Sequence, residues 1–283
     1  IMTTNEKALL LHEEWKGKLE TTSKAKVASR EDLALAYTPG VAEPCKVIAA
    51  DPEAAYRYTI KSNTIAVVSD GSAVLGLGNI GPLAAMPVME GKAVLFKEFG
   101  GVNAFPICLD TQDTQEIIET VVRIAPAFGG INLEDISAPR CFEIEEALKE
   151  RLDIPVFHDD QHGTAIVVLA GVINALRLTG KKKEDCRVVV NGAGSAGIAI
   201  TKLLLTYGFS HVTMCDKSGI LSKGAEGLNW MQEKMMDVTN LEHRTGTLAD
   251  AMKGADIFVG VSAPGIVTQD MVASMNKDAS LFA

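Results

Sequence analysis

The 283-residue sequence has no C-x-x-C pair, and its five cysteines, Cys45, Cys108, Cys141, Cys186 and Cys215, are scattered and odd in number. That argues against a disulfide framework, and it leads us to expect reduced thiols and a cytoplasmic home. Basic excess is missing as well. With 27 Lys and Arg against 36 Asp and Glu, the net charge is -9. Nucleic acid and anionic membranes are therefore not expected as main partners, because they require a face that neutralises phosphates. An anionic substrate then needs a local metal or lysine to reverse the sign. We find no apolar run long enough to span a bilayer and no charged-then-apolar leader. No internal repeat or low-complexity tract interrupts the chain, and the five histidines show no metal-ligand spacing.

What is present is an ordinary globular composition, 47% hydrophobic and 22% charged, in a length that favours two domains. The chain is organised around residues 157–164, Phe-His-Asp-Asp-Gln-His-Gly-Thr. Residues 154–157 read as a short buried strand and 162–178 as a helix. Asp159 and Asp160 thus fall at the carboxyl end of a strand, where open α/β sheets bind ligands. If the extended backbone continues through them, the two side chains point to opposite faces. A second acidic pair, Glu134-Asp135, follows the apolar run 129–133 in the same way. Four hard oxygen donors suit Mg²⁺ or Mn²⁺ better than zinc, although acidic residues after strands also serve as helix caps or solvated loop residues. His158 and His162 read as hydrogen-bonding neighbours of the aspartates.

From the start of the chain, Leu9, Leu10, Leu11, Trp15 and Leu19 lie at helical spacing over 5–19 with no obvious partner in an α/β domain, which points to packing on another subunit. A turn follows at Tyr37-Thr38-Pro39-Gly40. Asp51-Pro52 opens a helix over 53–58, and 65–68 form a strand that ends in Ser69-Asp70-Gly71-Ser72. The glycine-rich stretch 75–81 lacks a Rossmann fingerprint; it is either a ligand-approach loop or a plain turn. Lys92 precedes a helix over 93–99, where a cation opposes the helix dipole. A strand over 103–109, a helix over 111–124, the strand to Glu134, a helix over 140–151 and the strand to Asp159 complete an alternation that implies a parallel sheet.

The charged run 180–185 reads as a solvated linker. Beyond it the strand 187–190 leads into Gly192-Ala193-Gly194-Ser195-Ala196-Gly197 and the helix 198–207, a full G-x-G-x-x-G between strand and helix. The next strand, 212–215, ends at Asp216, and 216 − 192 = 24 residues is close to the interval of about 20 for a ribose-binding acid. Asp216 favours NAD, while Lys217 and Ser218 beside it offer a place for the 2′-phosphate of NADP. The strand 255–261 leads to Ser262-Ala263-Pro264-Gly265, a loop suited to the nicotinamide. Residues 279–283 resemble a buried strand stopped before its return loop, and Ile1 precedes Met2, so both ends read as cut.

The segments AYTPGVAEPC, VSDGSAVLGLGNIG, MEGKAVLFKEFGG, INLEDISAPRCFEIE, FHDDQHGTA and NGAGSAG together resemble malic enzyme, most of all the short bacterial branch of that family. The resemblance implies an α/β fold: an N-terminal helical segment and parallel α/β substrate and metal domain over 1–160, then a Rossmann-type NAD(P)-binding domain over 161–283, incomplete at its C-terminus. It implies oxidative decarboxylation of malate to pyruvate and CO₂. It assigns Tyr37 as general acid, Lys92 as general base, Asp159 as a helper in proton transfer, and Glu134, Asp135 and Asp160 as ligands of Mg²⁺ or Mn²⁺. For Lys92 to act as base, its pKa must fall. The small molecules malate and pyruvate and a second copy of the chain are the implied partners. Larger family members carry an arginine in the loop after Asp-Gly where this chain has Ser72-Ala73, and asparagines beyond its last strand. Two other readings stay open, an NAD-linked dehydrogenase without decarboxylation and a dinucleotide-sensing regulator without chemistry.

Overall fold

A computed structural model describes residues 2–283. The chain divides into two compact units: one holds the residues up to Ile136 with Ile144–Phe157, the other Ser137–Glu143 with His158–Ala283.

The first unit begins with four short helices, α1 (Thr4–Trp15), α2 (Arg30–Ala36), α3 (Ala42–Ala50) and α4 (Ala55–Tyr58). Local capping accounts for the starts of the first two. Thr3 and Glu6 form a reciprocal capping box on α1, and Ser29 accepts from Asp32 N–H on α2. None of residues 2–63 is buried, so these helices draw little support from a core. Strand β1 (Thr64–Ser69) then enters a sheet with β2 (Asn103–Cys108), β3 (Gly130–Leu133) and β4 (Val156–His158), in the order β2-β1-β3-β4. β1 pairs in parallel with β2 and with β3.

Between β1 and β2 runs α5 (Gly81–Gly100), 20 residues long where the sequence suggested only 93–99. Proline and glycine hid its first half. Pro82 occupies the first turn, where a missing N–H is harmless, and Pro87 lies inside the helix on its exposed side. The opposite stripe, Ala85, Met89 and Ala93, packs with Val67, Val74 and Ala104, and that burial carries the helix through the proline. Lys92 consequently sits mid-helix, and the expected conflict with the helix dipole does not arise. Helix α6 (Thr114–Ile124) is amphipathic, capped by Asp113 and buried through Ile117, Ile118 and Val121. α7 (Arg140–Arg151) leads to β4.

In the second unit α8 (Asp159–Thr179) precedes β5 (Arg187–Asn191), α9 (Ser195–Tyr207), β6 (His211–Asp216) and β7 (Gly219–Ile220). Then come α10 (Trp230–Met235), α11 (Leu248–Met252), β8 (Ile257–Gly260), α12 (Gln269–Ala273) and β9 (Ser280–Phe282). The sheet order is β7-β6-β5-β8-β9, parallel except for the β6-β7 hairpin. One core layer joins α8 and α9 to the sheet through Ala165, Val172, Val188, Val190, Ile200, Leu204, Ile257 and Val259.

Two expectations are corrected here. The charged run 180–185 is no linker but lies inside the second unit. Lys181 Nζ contacts Asp256 Oδ1 at 2.8 Å, and Lys183 Nζ donates to the Tyr207 carbonyl at 2.5 Å while lying 4.4 Å from its ring centroid. Charges placed this way tie the segment before β5 to Asp256 and to the end of α9. Secondly, α8 does have the length and composition of a bilayer-spanning helix, because its apolar residues nearly encircle it. Its first turn nevertheless carries Asp159 and Asp160, and Ala165 and Val172 belong to the core just described.

Candidate active site

In the first sheet, β1 is followed by β2 on one side and β3 on the other, so the chain reverses direction of winding between β1 and β3. Such a switch point opens a crevice at the carboxyl ends of the strands. Two segments meet there. After β1, Asp70 Oδ1 accepts from Ser72 N–H at 3.0 Å and from Ser72 Oγ at 2.6 Å, an Asx-type turn. After β3, Glu134 N–H donates to the Val68 carbonyl and Ala73 N–H to the Asp135 carbonyl, both at 2.9 Å. Asp135 adopts a left-handed backbone, φ 53°, which turns the chain out of the strand.

Both carboxylates of this pair are buried, Glu134 at 5% and Asp135 at 4% exposure. Lys92 Nζ reaches Glu134 Oε1 at 3.2 Å from α5. Asn132 Nδ2 donates to Glu134 Oε2 at 2.8 Å. The structure therefore joins two residues that the sequence keeps 42 apart (134 − 92), and adds a third, Asn132, that sequence reasoning overlooked. Its signal was there, since a polar amide in the otherwise apolar strand 130–133 shares a face with the residue two further on. Tyr37 caps the C-terminus of α2 and is 68% exposed, so its hydroxyl is open to an incoming substrate.

Asp159 and Asp160 are not extended, as the sequence suggested, but occupy the first turn of α8. The helix starts three residues earlier than its apolar periodicity because carboxylates are favoured where N–H groups point outward. His158, wholly buried, places Nδ1 3.7 Å from Asp160 Oδ2, consistent with a neighbour rather than a ligand. The Asp159 carboxylate lies over the following turn, so that a Cβ added at Gly163 would lie 2.2 Å from its Oδ1.

The second sheet has its own switch point between β5 and β8, and the glycine motif stands there. Gly192 has φ +121°, and a Cβ on it would lie 2.5 Å from the Val261 carbonyl; a Cβ on Gly197 would lie 1.7 Å from the Gly192 carbonyl. Gly194 faces open space. The first and third glycines thus serve the turn and the helix-strand contact, and the second leaves room for a phosphate to approach the N-terminus of α9 at Ser195 and Ala196. Gln232 Nε2 holds the loop from behind by donating to the Ala193 carbonyl at 3.0 Å, and Asn191 Nδ2 donates to Ser262 Oγ at 2.9 Å, linking the ends of β5 and β8. These two tethers were not legible in the sequence, because each depends on a residue far along the chain. Asp216 closes β6 and accepts from Ser218 N–H at 2.7 Å. Beside it, burial and the Asp216 charge push the Cys215 thiol up to about 12, so it stays protonated and unreactive.

Comparison with known proteins agrees with this layout. Residues 16–116 and 111–149 match the family described as malic enzyme, N-terminal domain, and residues 161–280 match malic enzyme, NAD binding domain. An NAD-dependent malic enzyme of Geobacillus stearothermophilus is 58% identical over the whole chain, which spans 59% of that relative's length. A bifunctional malic/malolactic enzyme of Bacillus subtilis is 56% identical, with 69% of its length covered. The crystal structure of an NAD-dependent malic enzyme from Thermotoga maritima superposes with TM-score 0.95 at 50% identity, covering 98% of this chain and 74% of that one. With family models matched along most of its length and a relative 56% identical, 69% of which it covers, the chain belongs to the malic enzyme family.

Proposed function

We propose that the protein catalyses oxidative decarboxylation of malate, malate + NAD(P)⁺ → pyruvate + CO₂ + NAD(P)H. The observation that carries this reading is the contact of Lys92 with buried Glu134 at the switch point of the first sheet. Glu134 and Asp135, buried at the exit of β3, are the residues of the first unit that would hold a divalent cation, and the family resemblance adds Asp160 as a third ligand. They supply oxygen only, which suits Mg²⁺ or Mn²⁺. The open space at Gly194 likewise fits a dinucleotide pyrophosphate. When bound, the cation would polarise the substrate's oxygens and the nicotinamide would accept the hydride.

The chain's own residues then divide the proton transfers. Lys92 removes the malate hydroxyl proton as hydride leaves C2, and Asp159 assists that transfer. Loss of the C4 carboxylate as CO₂ leaves enolpyruvate, to which Tyr37 delivers a proton at C3. Asp216 favours NAD, because its carboxylate can accept from the ribose 2′-hydroxyl and would repel a 2′-phosphate. Named relatives include both NAD- and NADP-dependent enzymes, so the preference is a property of this chain to be measured. Five cysteines, none of them in a disulfide among the described residues, suit a cytoplasmic setting. The apolar N-terminal helices suit a homodimer.

A coupled assay with malate, Mn²⁺ and each nicotinamide cofactor tests the reading. CO₂ should appear in step with NAD(P)H, with the larger kcat/KM for NAD. Asp160→Asn should weaken Mn²⁺ binding and turnover together. Hydride transfer without CO₂ release would make the protein a plain dehydrogenase, and tight NADH binding without turnover a sensor.

A further inference from the structure

Asn132 is wholly buried, and its neighbours along β3 are Gly130, Ile131 and Leu133. It precedes Glu134 by two residues, so both side chains leave the same face of the strand. Its Nδ2 donates to Glu134 Oε2 at 2.8 Å, while the other oxygen, Oε1, lies 3.2 Å from Lys92 Nζ. The opposite amide orientation would set Oδ1 against the carboxylate, two acceptors with no proton between them, so the chemistry dictates which end faces Glu134. In that orientation Asn132 Oδ1 has no hydrogen-bond partner among the described residues. An orphaned acceptor in a fully buried strand costs free energy that an apolar side chain of similar volume would avoid. Packing therefore gives no reason for an amide here, whereas the bond to Glu134 does.

We propose that Asn132 is a positioning residue: by tying down Glu134 Oε2 it holds the carboxylate in the orientation that presents Oε1 to Lys92 and to a divalent cation. This rests on the reading of Glu134 as a metal ligand. An untethered carboxylate on three rotatable bonds must be ordered by the ion itself, and that ordering reduces affinity.

The test is a Mn²⁺ titration of the full chain, followed by the electron paramagnetic resonance of the free ion, for wild type, Asn132→Leu, Asn132→Ala and Glu134→Gln. Metal-free melting curves are recorded alongside. Asn132→Leu fills the space and Asn132→Ala empties it, yet neither carries a donor. Both should bind Mn²⁺ about 10- to 100-fold more weakly, the usual scale for residues that orient a ligand, by equal factors even where their melting temperatures differ. Wild-type affinity in Asn132→Leu, or a loss in Asn132→Ala alone, would make Asn132 a packing residue and overturn the proposal. If Asn132→Leu does not fold, undiminished affinity in Asn132→Ala overturns it equally. The underlying reading fails separately: then wild type and Glu134→Gln bind Mn²⁺ alike, and the inference falls with it.

Discussion

At the scale of single residues, the glycine motif separates fold from ligand. Gly197→Ala forces a methyl group against the Gly192 carbonyl, 1.7 Å away and part of the backbone, so nothing flexible can yield. We expect it to lower the stability of the second unit by more than about 3 kcal/mol, the upper part of the usual range for one substitution. Gly194→Ala meets open space; it should unfold within about 1 kcal/mol of wild type but lose dinucleotide affinity, as isothermal titration with NADH would show. Asp256 offers a pH test. Burial alone would raise its pKa, yet Lys181, the Arg187 N–H and Asn276 all bond to it and hold it below the usual carboxylate range. A depressed folded pKa contributes stability that is present above the unfolded value and disappears as pH falls through the folded one. Losing those charge-assisted bonds in Asp256→Asn should cost on the order of 2 kcal/mol at pH 7, and denaturant unfolding should show the gap closing as pH falls below the unfolded carboxylate's value of about 3.9.

At the scale of elements, α8 shows how a helix serves a site. Asp159 folds back over Gly163, one turn on, and a Cβ at Gly163 would displace its Oδ1. Gly163→Ala should raise helix stability by up to about 1 kcal/mol while lowering malate turnover. Melting temperature and kcat moving in opposite directions would support the role given to Asp159; a rise in both would remove it. Elsewhere, element type was readable because local patterns were strong: α6 carries a clean apolar stripe, and β5 is rich in β-branched residues. α5 was readable only in its second half. Its helical state at Pro87 depends on Ala85 and Met89 being buried against β1, and that is a fact of packing.

At the scale of the whole molecule, the N-terminal segment stands apart. Leu9, Leu10 and Trp15 are 74%, 54% and 50% exposed on a helix with no buried residue, more apolar surface than an isolated helix usually shows to water. Light scattering at micromolar concentration should report a dimer or larger assembly. Leu9→Asp with Trp15→Glu should shift it toward monomer without loss of the NADH affinity that belongs to the second unit. An undisturbed monomeric wild type would refute the idea.

The sequence by itself determined the two α/β units, the dinucleotide site and the acidic pairs. Each of these is local: a period of two or 3.6, a glycine spacing, or a pair of neighbouring aspartates can be read within about 20 residues. Only the tertiary structure decided that Lys92 meets Glu134, that Asp70 and Asp135 flank one switch point, and that the lysines at 181 and 183 bond to Asp256 and Tyr207 instead of floating in a linker. Those outcomes depend on strand order. β3 lies beside β1 rather than beside β2, its predecessor in the chain, and β8 beside β5 rather than β6. No residue pattern records that choice, because it is made by the simultaneous burial of whole faces of sheet and helix.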